Sequence, residues 1–311
     1  MPFHPQVVSM MKKRKAIGAR SISEFDAVGA RKAIVANTKP FKSRPVAVSK
    51  KHNIKIGGPG GKIPVRVYVP KGKGPFPTVV YFHGGGWVVG SIDQSEEPTA
   101  LLAKITPAVV VSVDYRLAPE HKFPAAPADC YAAVEWASKR AKEFGGDADR
   151  LVVSGDSAGG NLSAAVCLMA RDRNGPKIAL QLLVYPLVDF TRDMRKFSGK
   201  DYGPTPTECE WFKDNYLRDA SDALDSLASP LLADLRGLPP AAVVTAQYDT
   251  FTEQTNEYAK KLEAAGVKVT RKEFKGMTHG FWSYPEYFDL GRESIEWCGA
   301  QVRKVRRSSR A

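Results

Sequence analysis

Leu151-Val152-Val153-Ser154-Gly155-Asp156-Ser157-Ala158-Gly159-Gly160-Asn161-Leu162 is a short apolar run that ends in Gly-x-Ser-x-Gly and opens directly into an alanine-rich helical pattern. The spacing predicts a strand, a sharp turn and a helix, with the Ser157 hydroxyl exposed at the apex. The flanking glycines are needed because a β-carbon there would collide with neighbouring backbone. The positive end of the helix dipole then lies under Ser157, where developing negative charge is favoured. This is the pattern of a nucleophile elbow.

Upstream, Pro77-Thr78-Val79-Val80-Tyr81-Phe82 is a second apolar, β-branched run, and it ends in His83-Gly84-Gly85-Gly86-Trp87. Three successive glycines let backbone N–H groups approach a ligand closely, in the form of oxyanion hole that lipases and esterases use. A serine hydroxyl is a poor nucleophile until an imidazole takes its proton. Of the five histidines, His4 and His52 lie in the basic N-terminal region, His83 in the glycine loop and His121 upstream of the elbow. With the chain order serine, acid, histidine, only His279 is suitably placed, after the strand-like Lys268–Phe274. The acid belongs at the end of the penultimate strand. Ala241–Gln247 reads as that strand and Asp249 follows it, with Glu253 as the competing acid at the start of the next helix.

These residues together resemble the hormone-sensitive-lipase-like group of α/β-hydrolases, which includes bacterial and archaeal carboxylesterases. The resemblance covers roughly Val65 to Ala300 and also includes Asp114–Glu120, Phe123-Pro124-Ala125, Tyr185-Pro186 and Ser229-Pro230. It implies an α/β-hydrolase fold: a mostly parallel central sheet covered by helices on both faces, with a helical cap. It implies Ser157 as nucleophile, Asp249 and His279 as its partners, and backbone N–H groups of Gly84, Gly85, Gly86 and Ala158 as the oxyanion hole. The implied function is serine carboxylesterase action on short- to medium-chain acyl esters through an acyl-enzyme, with no metal and no organic cofactor. An amidase or acyltransferase would use the same residues, and a non-catalytic small-molecule receptor on this scaffold would typically lack the histidine. The family commonly follows its acid with Pro-Leu-Arg-Asp, whereas Thr250-Phe251-Thr252-Glu253 stands here.

A chain of 311 residues suits one α/β domain with an insertion. The expected division is an N-terminal cap segment over 1–50, core over 51–188, a cap insertion over 189–228, and core again over 229–311. Within 1–50, Ile22, Phe25, Val28, Ile34 and Val35 recur at near-helical spacing, which a purely solvated tail would not need. Between Asp189 and Ser229 the strand and helix rhythm breaks, and Trp211, Phe212, Tyr216 and Leu217 then share one helical face. Trp87, Trp211 and Phe212 are the candidate substrate-contacting side chains. Gly57–Lys62 lacks the Ser or Thr a phosphate loop requires and reads as a hairpin turn.

The net charge of +13 sits at the ends. Residues 1–55 carry thirteen Lys or Arg against two acids, and 301–311 add five basic residues and no acid, so the body between them is nearly neutral. Lys12-Lys13-Arg14-Lys15 and Arg303-Lys304-Val305-Arg306-Arg307 are read as solvated terminal charge, without a nucleic-acid motif. Cys130, Cys167, Cys209 and Cys298 lie far apart with no metal or redox spacing, which points to reduced structural thiols. The expectation is therefore a cytoplasmic enzyme with a small-molecule ester as partner, no nucleic acid and no membrane span, a homodimer being left open.

Overall fold

The computed structural model describes residues 2–42, 45–193 and 203–306. Eight strands form one sheet: β1 (Lys50–Gly58), β2 (Gly61–Val69), β3 (Phe76–Phe82), β4 (Val109–Val113), β5 (Gly146–Asp156), β6 (Leu180–Val184), β7 (Ala241–Tyr248) and β8 (Val269–Thr278). Their order across the sheet is β1-β2-β4-β3-β5-β6-β7-β8. β1 pairs antiparallel with β2 and β2 with β4, and every later pair is parallel. The Gly57–Lys62 stretch makes the β1–β2 hairpin, with Gly58 opposite Gly61.

The parallel strands are buried on both faces, so their sequences are near-continuous apolar runs. The helices that cover them are α3 (Glu96–Ile105), α4 (Ala125–Arg140), α5 (Ala158–Asp172), α7 (Thr252–Ala264) and α8 (Asp289–Arg303). Alternate residues serve opposite cores. Val80, Phe82, Leu151 and Val153 pack with Val134, Leu162 and Leu262 from α4, α5 and α7. Val79, Tyr81 and Val152 pack with Leu101, Ile295 and Val302 from α3 and α8 on the other face. All four cysteines are buried and unpaired, and burial raises each thiol pKa.

Two elements carry only a weak sequence signal. β1 is a largely exposed edge strand of polar composition, Lys-Lys-His-Asn-Ile-Lys-Ile, which carries little apolar signal. α3 opens with two acids and a proline, and its apolar face shows only in the short Ala100–Ala103 stretch. The strand before His279 also runs further than expected, to Thr278, through a register shift opposite Ala246 and Tyr248.

β3 and β5 are neighbours whose connections leave in opposite directions, β3 through α3 to β4 and β5 through α5 to β6. Such a switch point opens a crevice at the carboxyl ends of the strands. Over that end lie α1 (Pro5–Ala16), α2 (Ala27–Thr38) and α6 (Pro206–Tyr216), all of which contribute to the walls of one cavity. Residues 194–202, part of the break in rhythm after Asp189, and Arg307 with the residues after it lie outside the described residues.

Candidate active site

Ser157 sits between β5 and α5 with φ 55° and ψ −118°, a region that side chains seldom occupy. Three contacts hold it there. Its N–H donates to the Val184 carbonyl at 2.8 Å, and its own carbonyl accepts from Asn161 in the first turn of α5 at 3.1 Å. Gly159 passes so close to β3 that a Cβ there would overlap the Phe82 carbonyl oxygen, so glycine is the residue that lets helix and strand meet. The turn thus aims the hydroxyl out of the sheet into the cavity, whose volume is about 560 Å³.

His279 follows β8 directly, and Asp249 follows β7. Because β7 and β8 are paired neighbours, the two side chains meet. His279 Nδ1 donates to Asp249 Oδ2 at 2.7 Å, which leaves Nε2 as the acceptor for the Ser157 hydroxyl at 2.8 Å. Asp249 Oδ1 accepts from the Phe251 N–H at 2.9 Å, so both carboxylate oxygens are engaged. The imidazole is boxed by Tyr185 at 4.6 Å and by the edge of Phe251 at 5.2 Å between ring centres. Glu253, the competing acid, is excluded: its side chain is exposed and reaches toward Arg192. In place of Pro-Leu-Arg-Asp, Thr250 Oγ1 donates to the Pro204 carbonyl and Thr252 Oγ1 to the Ala246 carbonyl, at 2.9 and 2.6 Å. These two bonds shape the loop that carries Asp249.

The glycine loop lies beside the elbow because Phe82 of β3 is paired with Gly155 of β5. One expectation is corrected here. The Gly84 N–H donates to Asp156 Oδ1 at 2.9 Å and is not available to a ligand. The same oxygen takes the Tyr81 hydroxyl at 2.5 Å, so buried Asp156 ties the loop to the elbow. The donors left are Gly85, Gly86 and Ala158, the last in the first turn of α5, where backbone N–H groups have no partner within the helix. Gly85 has φ 124° and passes so close to Val89 that a Cβ would overlap its carbonyl. His83 donates from Nδ1 to the Gly84 carbonyl at 2.8 Å and stacks on Tyr115 at 4.4 Å. Burial lowers its pKa, which keeps it neutral and unsuited to serve as a cation.

The three aromatic candidates separate. Phe212 lies on Gly86, where any Cβ would overlap its ring, and borders the cavity. Trp87 also borders it but is almost wholly buried, stacked on Tyr216 at 4.4 Å. Trp211 is absent from the wall and packs edge-on against Phe212, a correction to its expected role. α6 turns neighbouring side chains about 100° apart, so only one of the two can face the cavity.

The N-terminal segment supplies wall residues that carried no sequence signal as such, Met10 and Met11 from α1 and Lys42, together with Arg14 from the cluster read as solvated charge. Of the apolar residues at near-helical spacing, Ile22 and Ile34 line the cavity as well, whereas Val28 and Val35 are each 52% exposed. Arg31 of α2 fastens the segment to the core. It donates to the Val88 and Ala118 carbonyls at 2.9 Å each and to both oxygens of Glu120. Ser21 Oγ donates to Glu208 Oε1 at 2.8 Å, while Glu208 Oε2 accepts from the Thr205 N–H at the start of α6 at 2.9 Å. One carboxylate therefore joins the two segments over the cavity.

A family model described as alpha/beta hydrolase fold matches residues 79–283. Carboxylic ester hydrolase LipN of Mycobacterium tuberculosis is 44% identical over 77% of this chain, which spans 65% of that relative's length. Carboxylesterase NlhH of the same species is 41% identical over 71% of this chain and 72% of its own. The solved structure of a hyperthermophilic esterase from the archaeon Pyrobaculum calidifontis superposes with a TM-score of 0.91 at 36% identity, covering 97% of this chain and 98% of that one. With its parallel sheet, its elbow at the end of β5 and these relatives, the chain belongs to the hormone-sensitive-lipase-like family of α/β-hydrolases.

Proposed function

We propose that the protein is a serine carboxylesterase in which Ser157 is the nucleophile, His279 the base, and Asp249 the group that fixes the imidazole. The observation that carries this reading is the continuous hydrogen-bonded chain from Ser157 Oγ through His279 to Asp249, opening on a cavity. Its relatives named as carboxylic ester hydrolases support the same activity.

In the first step His279 Nε2 takes the hydroxyl proton as Ser157 Oγ bonds to the ester carbonyl carbon. The carbonyl oxygen becomes an oxyanion received by the Gly85, Gly86 and Ala158 N–H groups. The imidazolium, held by Asp249, then protonates the leaving alkoxide, and an acyl-enzyme remains. Water, deprotonated by the same imidazole, adds to the acyl carbon, and the acid leaves as Ser157 regains its proton. A cavity of about 560 Å³ lined by Met10, Met11, Ile22, Ile34 and Phe212 suits short- to medium-chain acyl groups. Residues 1–50 and 189–228 act as a cap that excludes water and positions the ester.

Ser157→Ala tests this directly. Hydrolysis of 4-nitrophenyl esters falls at least about ten-thousandfold, and labelling by a fluorophosphonate disappears, with the fold retained by circular dichroism. Labelling that persists at another serine overturns the assignment.

A further inference from the structure

The cavity beside Ser157 is bordered by cationic side chains that an uncharged ester does not call for. Among the described residues two carboxylates border it, and their oxygens accept hydrogen bonds from the protein. Asp156 accepts from Tyr81 and Gly84, and Glu208 from Ser21 and the Thr205 N–H. Among the described residues Arg14, Arg20 and Lys42 border it as well, and Arg20 is paired with Glu24 at 2.9 Å. Arg14 and Lys42 remain.

Lys42 is placed firmly. It follows the turn Lys39–Phe41, in which Phe41 is buried against the edges of Tyr284 and Tyr287 at 6.1 and 5.3 Å. Its Nζ donates to the Gln94 carbonyl at 2.5 Å and lies 5.4 Å from the centre of the Tyr284 ring. An ammonium has three donors, so two remain beyond the bond to Gln94. Among the described residues no carboxylate comes within ion-pair distance of it. Burial pulls its pKa below the usual lysine value, opposed at longer range by Glu97 and Asp156. A cation withdrawn from water without an adjacent anion is costly, and a bound anion offsets that cost. Tyr284 extends the same wall, with Arg14 near enough to bias its hydroxyl electrostatically.

We propose that Lys42, with Arg14 nearer the solvent, receives a carboxylate carried by the substrate, so that the preferred esters are half-esters of short dicarboxylic acids. This rests on the esterase reading of Ser157. The ester carbonyl sits at Ser157 and the free carboxylate at Lys42, held by charge-assisted hydrogen bonds.

The full chain is assayed on 4-nitrophenyl hydrogen adipate and on 4-nitrophenyl hexanoate, which have the same acyl length and differ by one carboxylate. The ratio of their kcat/KM values favours the half-ester in the wild type and falls about tenfold in Lys42→Met, chiefly through KM. Lys42→Arg keeps the preference, and Arg14→Gln reduces it less than Lys42→Met does. A ratio that Lys42→Met leaves unaltered, or equal losses on both esters, overturns the proposal. In the wild type, monomethyl adipate competes with hexanoate hydrolysis more strongly than methyl hexanoate does. Equal competition overturns the proposal without recourse to any variant. Hydrolysis of neither ester overturns the esterase reading itself, whereas hydrolysis of hexanoate without a charge preference overturns the role of Lys42 alone.

Discussion

At the scale of residues, Asp156 shows how one buried carboxylate coordinates two motifs that are distant in sequence. It binds the Gly84 N–H and the Tyr81 hydroxyl, so the glycine loop keeps its position relative to Ser157. Asp156→Ala leaves both donors buried without an acceptor, which costs about 1–3 kcal/mol of stability for each. The same change moves the oxyanion donors, and kcat is expected to fall about a hundredfold while KM changes little. Steady-state kinetics with a thermal melt checks this, and Asp156→Asn, which retains an acceptor oxygen, recovers part of both losses. Gly86 gives a second prediction. Its φ of 56° and the Phe212 ring lying on it make Gly86→Ala destabilising. Adding Phe212→Ala removes the overlap but not the backbone cost of about 1–2 kcal/mol. A double-mutant cycle therefore shows partial recovery in Tm, and simple additivity contradicts the contact. Ser157, His279 and Asp249 were legible in the sequence because motif and chain order select them. The commitment of Gly84 was not, since an amide's partner depends on where another strand ends.

At the scale of elements, α2 is held by polar contacts as well as by the buried Ala27 and Ala30. Val28 and Val35 face solvent, while Arg31 bonds to Val88, Ala118 and Glu120. The Arg31 guanidinium lowers the Glu120 carboxyl from 4.5 to about 2. Because the folded pKa is depressed, the stabilisation is complete above about 4.5 and fades as the pH falls toward 2. Docking of α2 is thus expected to be insensitive to pH across the neutral range and to loosen only in acid. Limited proteolysis within residues 2–42 against pH measures it, and a transition near neutrality contradicts it. Arg31→Ala is expected to raise cleavage in this segment at neutral pH, with little change in global Tm. The near-helical spacing of apolar residues pointed to α2, but such spacing is blind to the Val88 and Ala118 carbonyls that accept from Arg31.

At the scale of the whole molecule, the N-terminal segment borders the cavity despite its charge. Val7, Met10, Met11, Ile22 and Ile34 border the cavity. Removing residues 2–41 is therefore expected to expose apolar surface, increase binding of a hydrophobic dye and blur acyl-length preference. Unchanged selectivity over a series of 4-nitrophenyl esters contradicts this. The sequence by itself determined the strand, turn and helix around Ser157, the parallel sheet implied by its apolar runs, and the order of serine, acid and histidine. These are local or nearly local properties, written in steric demands on glycine and in the period of buried strands. Only the tertiary structure decided that Gly84 answers to Asp156, that Phe212 rather than Trp211 faces the cavity, and that Lys42 stands in its wall with no carboxylate of the described residues at ion-pair distance. Each of these depends on which groups from distant segments meet once the chain has closed, and no spacing along the sequence encodes that distance.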